Sequence, residues 1–518
     1  MNVQRAADLV TALTDAGIRE FCVCPGGRNA PLVVVLARAD GVTVRTFFEE
    51  RAAAFFAVGR IKAEGAPVAV VTTSGTAAAE LLPAAVEAYY AGLPLLLVTA
   101  DRPPRHRGTG SPQAIEQVDL FGLYAPTVFD GGADDAAGLS LAEWTGQQPA
   151  HVNVCFDEPL VDGSIPVLRL VPAIRSRPAP AADLAPVADL LRHARRPLVI
   201  VGPLDAADHG GVRALLTRLG APVYAEPASG LREDEALGSL LVRSGEGALR
   251  TADFDAVLRL GGVPALRLWR DLEAARQDVP VASVSRARFP GLTRGIFVHA
   301  APGAALSALD GAAAVHHGWR DALLARDGGR YGALDALCAA EPQAEPALVR
   351  ELSRHVPESS LVYLGNSLPI REWDLAAVRE SRGWQIGVSR GANGIDGQLS
   401  TFFGMCAVGR ESWALVGDLT ALYDLAAPWV LGQLATGPVR IVVVNNGGGQ
   451  IFARLSPHAE LRNAHRLTFD RWATMWGLPH VRWETIPPRL ALPERCVIEL
   501  APDADATERF WRAYEALP

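Results

Sequence analysis

The opening of the chain alternates two periodicities. Residues 4–17 repeat apolar side chains at helical spacing and lead into an apolar run at 21–24. Residues 42–47 read as a second strand, 50–64 as a helix and 67–72 as a strand. An alanine-rich helix at 76–91 and a strand at 94–99 follow, with 151–156 as the closing strand. Fully apolar strands separated by helices predict a parallel sheet covered on both faces. Residues 171–186, VPAIRSRPAPAADLAP, read as an interdomain linker. A second alternation places strands at 197–201, 223–225, 256–260 and 281–284, and Ala-Asp-Gly-rich sequence around 301–345 marks the next boundary. The third has strands at 361–364, 413–416, 439–444 and 497–500, with helices near 346–355 and 420–434. The expectation is an α/β fold of three domains, 1–170, 187–315 and 345–518, each a parallel sheet flanked by helices.

Composition narrows the chemistry. The 518 residues are 49% hydrophobic and 20% charged, enough to bury large cores, and the formal net charge is -8. No basic stripe stands out, so nucleic acid is excluded as a partner. The apolar runs are strand-length, well short of the ~20 residues that span a bilayer. The first residues lack a signal peptide's apolar core, so a soluble cytoplasmic protein is expected. Six scattered cysteines form no CxxC pair and predict neither zinc nor a disulfide framework; Cys22 and Cys24 read as core packing. Lys62 is the one lysine, and the other 48 of the 49 basic residues are arginine. Schiff-base chemistry needs a lysine, and Lys62, at the expected end of a helix, reads as solvated. There is no GxxxxGK[ST] loop and no HExxH.

Ligands of parallel sheets bind at the carboxyl ends of the strands. Two such ends in the third domain are Gly417-Asp418-Leu419-Thr420 and Asn445-Asn446-Gly447-Gly448-Gly449-Gln450. Aspartate and asparagine at neighbouring tips supply the hard oxygens that Mg²⁺ prefers, and the start of a helix there offers free N–H groups to a diphosphate. Either half alone is also an ordinary acidic strand end or glycine-rich turn. Glu50, in TFFEERAAAFFAVGR, follows a strand and opens a helix, a place that favours acids on helix-dipole grounds as well.

In that strand–turn–helix setting, the GD and NN pairs resemble the cofactor motif of the thiamine-diphosphate superfamily, with Leu419 in place of a third glycine. The stretches CPGGRNAPL, TADRPPRHRGTGSPQAIEQ, GNSLPIREWD and SRGANGIDGQLST, with GDLTALYDL and VVNNGGGQIF, are similar to one family within it, the 2-succinyl-5-enolpyruvyl-6-hydroxy-3-cyclohexene-1-carboxylate synthases of menaquinone biosynthesis. The similarity runs from about residue 5 to 455 and is weak in the middle.

The resemblance implies thiamine diphosphate with Mg²⁺, Mn²⁺ being an alternative, held through Asp418, Asn446 and the Gly448 carbonyl. It implies Glu50 as the catalytic acid against the aminopyrimidine ring, preferred over Glu49. Pro25, Thr73, Ser74, Gly75, Gly391, Ile395, Gly417, Leu419, Thr420, Gln450 and Ile451 would line the cofactor, Ile395 as an apolar prop. Arg28, Arg102, Gln113, Ser367, Arg371, Arg390 and Arg267 would bind 2-oxoglutarate and isochorismate, whose carboxylates suit arginine. Gly27, Pro112 and Leu266 depart from the family's usual serine, asparagine and lysine. A homodimer or homotetramer with active sites at the chain interface is implied too. The rival within the superfamily is another 2-oxoacid decarboxylase or an acetolactate-synthase-like enzyme, although no flavin signature stands out in the middle domain.

Overall fold

The computed structural model describes residues 2–132, 141, 144, 146–171, 182–305, 309 and 315–517. Its strands fall into three large sheets and a two-stranded one, Ala39–Asp40 with Leu168–Arg169, all with parallel neighbours. By contact the chain gathers into two compact units. The first comprises Met1–Pro178, Ser389–Val408 and Thr420–Thr436, and the second Ala179–Val388, Gly409–Leu419 and Gly437–Pro518.

The first unit holds a six-stranded sheet in the order Thr43–Thr46, Glu20–Val23, Val68–Thr72, Leu95–Asp101, Ala150–Cys155, Thr127–Gly131. The three inner strands from Glu20 to Asp101 are buried along their whole length, which is why they read as unbroken apolar runs. Helix Asn2–Asp15 covers one face with Val3, Ala6, Val10 and Leu13. Helix Glu50–Glu64, almost entirely buried, packs against helix Gln398–Met405. Their backbones nearly touch: a Cβ on Gly59 would stand 2.0 Å from the Thr401 carbonyl oxygen, and one on Gly404 2.2 Å from that of Phe56. Glycine is therefore required at this crossing, and the crossing fixes the helix that begins at Glu50.

The second unit holds two sheets. A five-stranded one runs Val223–Ala225, Pro197–Val201, Ala256–Leu260, Val281–Ser285, Ile296–His299. A six-stranded one runs Gln385–Gly387, Leu361–Leu364, Ser412–Gly417, Val439–Val444, Arg495–Leu500, His480–Trp483. Taken in chain order, the two six-stranded sheets have the same arrangement. In both, the first strand lies between the second and the third, and the sixth separates the fourth from the fifth. The order reverses beside the first strand, the position where open parallel sheets take ligands.

Several expectations need correction. The strand expected at 151–156 is present as Ala150–Cys155, but Thr127–Gly131, half-solvated and without an apolar run, was not expected and lies outside it at the sheet's edge. The helix expected at 76–91 is two, Thr76–Ala79 and Leu82–Ala91, because Pro83 has no N–H to continue the ladder. The helix expected at 420–434 spans Asp418–Tyr423, and the rest is a 3₁₀ stretch, Ala427–Gln433, opened by Pro428. The boundary sequence 301–345 contains a long helix, His317–Ala340. Of the expected linker, 172–181 lies outside the described residues, and its end already belongs to helix Ala185–His193. Lys62 is not solvated: its side chain is 16% exposed and pairs with Glu87. All six cysteines are free, and Cys22 and Cys24 are buried as expected. No helix among the described residues is long and apolar enough to cross a membrane.

Candidate active site

In the first unit the candidates gather at the carboxyl ends of three neighbouring strands. Strand Glu20–Val23 runs into the loop of Pro25 and Arg28, and strand Val68–Thr72 into Thr73-Ser74-Gly75. The loops are tied together. Thr73 Oγ1 accepts the Arg28 N–H at 3.1 Å, and Asn29 Oδ1 accepts that of Gly26 at 2.8 Å. Pro25 is exposed at the tip. Ser74 Oγ donates to the Gln113 carbonyl at 2.7 Å, bringing the loop after Leu95–Asp101 onto the same turn.

Gly75, at φ +82°, donates its N–H to Gln117 Oε1 at 2.9 Å. Gln117 is fully buried and donates onward to Asn153 Oδ1 and the Ala100 carbonyl. It was missed as a positioning residue, although it ends one of the motif stretches. Gln113 itself is exposed at φ +57°, a backbone state uncommon for residues with a side chain and frequent at functional sites.

Arg28 is buried and donates Nη1 to the Phe156 carbonyl at 2.9 Å. Burial and the neighbouring positive charge of Arg102 both weaken its hold on its proton, against Glu158 at 3.4 Å. Arg102 donates Nε to the Pro112 carbonyl at 3.0 Å. Two guanidiniums held near each other form a natural receptor for an anion.

Glu50 borders a cleft of about 500 Å³ lined by Glu49, Arg51, Glu80, Leu422, Tyr423, Leu425 and Ala426. Burial raises its carboxyl pKa above the ordinary range, opposed by its own N–H and assisted by Glu49 and Glu80. The two adjacent glutamates have different work. Glu49 caps the helix, its Oε2 accepting the Ala52 N–H at 3.0 Å, and lies 3.5 Å from Arg51. Arg51 in turn donates to the Tyr423 carbonyl at 2.8 Å. Arg390, Gly391 and the half-buried Ile395 follow one another on an irregular loop of the same unit, and Thr420 is buried there too.

In the second unit, strand Leu361–Leu364 ends at Ser367, which opens helix Leu368–Ala376 at φ +72°. The Arg371 guanidinium, one turn on, donates to the Ser367 carbonyl at 2.5 Å. Arg267 is exposed at the start of helix Arg267–Ala274, whose first N–H groups are taken by Glu246. Glu246 also attracts the Arg371 guanidinium, so one carboxylate serves both the start of that helix and Arg371.

The tips of Ser412–Gly417 and Val439–Val444 are joined by Asp418. Its Oδ2 accepts the N–H groups of Gly447 at 2.9 Å and Gly448 at 2.8 Å, and Oδ1 that of Leu419 at 2.6 Å. Burial still raises its pKa. Gln450 donates Nε2 to the Asn446 carbonyl at 3.2 Å and, with Ile451, begins the 3₁₀ stretch Gln450–Arg454. Segment 462–465 closes over the turn: Gly449 donates to the Arg462 carbonyl at 2.5 Å, and His465 Nε2 stands 3.3 Å from Asp418 Oδ2.

Asn446 donates Nδ2 to Glu345 Oε2 at 2.9 Å, while its Oδ1 is buried with no hydrogen-bond partner. A buried acceptor without a donor is costly, and a cation would satisfy it. Among the described residues no cluster of three or more His, Cys, Asp or Glu could hold a metal. A cation here would draw on carboxylate, amide and carbonyl oxygens together, and this set fits one. Glu345 and Glu372, buried against each other behind Asn446, both have raised pKa values through burial. Neither they nor His465 was foreseen: no motif marks Glu345 or His465, and Glu372 stands inside GNSLPIREWD beside the arginine that drew the reading.

Residues 3–120 match the thiamine pyrophosphate enzyme N-terminal TPP binding domain. The chain is 42% identical to the 2-succinyl-5-enolpyruvyl-6-hydroxy-3-cyclohexene-1-carboxylate synthase of Bdellovibrio bacteriovorus, over 100% of this chain and 99% of that protein. The chain belongs to this synthase family. The Akkermansia muciniphila member is 42% identical over 95% of both chains, and that of Halobacterium salinarum 33% over 98% of this chain and 97% of its own. The matched domain contains Pro25, Arg28, Glu50, Thr73, Ser74, Gly75, Arg102 and Gln113.

Proposed function

We propose that the chain decarboxylates 2-oxoglutarate and joins the remainder to isochorismate, giving 2-succinyl-5-enolpyruvyl-6-hydroxy-3-cyclohexene-1-carboxylate for menaquinone biosynthesis. When bound, thiamine diphosphate supplies the nucleophilic carbon and the electron sink for decarboxylation. Asp418, Asn446 and the Gly448 carbonyl would hold Mg²⁺ or Mn²⁺ for the diphosphate, near the N–H groups that open helix Asp418–Tyr423. Glu50, whose pKa burial raises, would supply a proton to the aminopyrimidine ring. Gly75, Ser74 and Thr73 frame that ring, and Ile395 props it. Arg28, Arg102, Gln113, Ser367, Arg371, Arg390 and Arg267 hold the carboxylates of the two substrates.

The observation that carries the substrate reading is the placing of Arg28, buried and bonded to Thr73, and of Arg102, bonded to the Pro112 carbonyl, on loops tied to the Thr73–Gly75 turn. Pyruvate's single carboxylate leaves as CO₂. 2-Oxoglutarate keeps a distal carboxylate that must be held throughout, and isochorismate brings two more. The three-domain division 1–170, 187–315 and 345–518, and a homodimer or homotetramer with sites completed across chains, belong to the same proposal, as does a cytoplasmic location. Steady-state kinetics with isochorismate as acceptor tests it. Wild type should prefer 2-oxoglutarate over pyruvate by at least about tenfold, the worth of one charged hydrogen bond. Equal use of pyruvate would favour a generic 2-oxoacid decarboxylase or an acetolactate-type enzyme.

A further inference from the structure

Lys62 lies on helix Glu50–Glu64 and faces Glu87 on helix Leu82–Ala91, Nζ to Oε1 at 3.5 Å. Glu87 is 3% exposed. A carboxylate at that depth is costly unless charge and hydrogen bonds compensate it. Part of the compensation comes from far along the chain. Oε1 accepts the Gly391 N–H at 3.0 Å and Oε2 that of Ala392 at 2.7 Å. Both carboxylate oxygens are thus committed to consecutive amides of one loop.

The approach is close enough to require glycine. A Cβ on Gly391 would stand 2.3 Å from the Glu87 carbonyl oxygen and 2.8 Å from Oε2. The loop's other end is pinned to the helix that carries Lys62. A Cβ on Gly397, at φ +64°, would stand 1.9 Å from the Phe55 ring. Between these anchors lies Ile395, and Arg390 immediately precedes the first. Holding the Gly391 N–H fixes the peptide plane that follows Arg390, and so the direction in which its side chain leaves the loop. Arg390 is also near enough to repel the Lys62 ammonium.

We propose that Glu87, charge-balanced by Lys62, is the positioning residue that aims Arg390 at substrate. It touches neither substrate nor cofactor itself. The proposal rests on the reading of Arg390 as a substrate contact.

A double-mutant cycle tests it, with Glu87→Gln, Arg390→Ala and the double variant assayed as holoenzyme. The carboxamide would turn an N–H group toward one of the two amides it must accept. Arg390→Ala should lower kcat/KM for one substrate roughly 10- to 150-fold, the value of a charged hydrogen bond. Glu87→Gln should lower it for that same substrate with thiamine diphosphate affinity unchanged, and the double variant should be no worse than Arg390→Ala alone. Lys62→Met, which leaves the carboxylate in place, should weaken the same parameter less and serves if Glu87→Gln fails to fold. Because Lys62 is the one lysine, amine-selective labelling read at its own peptide by mass spectrometry, apart from the N-terminal amine, reports on the clamp independently, and Glu87→Gln should speed it. Additive losses, or unchanged kcat/KM in Glu87→Gln or in Lys62→Met where that variant stands in, would overturn the proposal. Arg390→Ala without kinetic consequence would overturn the reading of Arg390 and the clamp's purpose with it.

Discussion

Glu49 and Glu50 are adjacent, carry the same side chain and border the same cleft, so exchanging each in turn separates catalysis from stability. Glu49 accepts the Ala52 N–H at 3.0 Å as the helix cap, and its carboxylate is 25% exposed beside Arg51. Removing such a cap typically costs about 1 kcal/mol, within a range of roughly 0.5–2. Discounting an exposed ion pair to a few tenths, Glu49→Ala should lose about 1 kcal/mol of stability and keep most of its turnover. Glu50 caps nothing, and burial disfavours its charged form. Glu50→Gln removes that burden along with the proton, so stability should hold or rise slightly. Turnover should fall by about 10²–10⁴, the usual contribution of a general acid–base group. Two measurements suffice: deuterium exchange at the thiazolium carbon of bound thiamine diphosphate, followed by NMR, and urea unfolding of each variant. Slow exchange in Glu49→Ala with normal exchange in Glu50→Gln would refute the assignment of roles.

Asp418→Ala should abolish Mg²⁺-dependent thiamine diphosphate binding in calorimetry, since it removes both a charged ligand and the acceptor of three N–H groups. Arg371→Ala should cost about 10- to 150-fold in kcat/KM for one substrate, with cofactor affinity intact. His151 tests pH linkage. Burial lowers its pKa from 6.5 to about 4, opposed by Asp130, while Thr99 and Thr127 hydroxyls engage its two ring nitrogens. An unfolded imidazole takes its proton near pH 6.5 and the folded one only near 4, so its stabilising effect is whole above 6.5 and is lost on acidification through that window. The loss amounts to about 3 kcal/mol, and His151→Asn should flatten the urea midpoint between those limits.

Strands buried on both faces were legible because their runs are apolar throughout, as in 197–201, or broken by a single arginine, Arg259 in 256–260 and Arg440 in 439–444. Of the missed strands, Thr127–Gly131, Ile296–His299, Gln385–Gly387 and His480–Trp483 pair on one side only and are partly solvated, and Ala39–Asp40 and Leu168–Arg169 are two residues each, so no long apolar run announces any of them. Motif residues at strand tips were legible because their types carry their chemistry. The residues that hold them were not: Glu87 meets Gly391 across 304 positions and Glu345 meets Asn446 across 101, with no local pattern around either glutamate. Lys62 was misjudged for the same reason, since only its remote partner explains a buried ammonium at a helix end.

The central claim is best tested by supplying 2-oxoglutarate labelled with ¹³C at the keto carbon, with Mg²⁺ and thiamine diphosphate, in the presence and absence of isochorismate. Mass and NMR detection should find the label in a new carbon–carbon bond to the isochorismate skeleton, with CO₂ released and turnover strongly dependent on the acceptor. Release of CO₂ at the same rate without isochorismate, with the label recovered only in the free aldehyde, would contradict it.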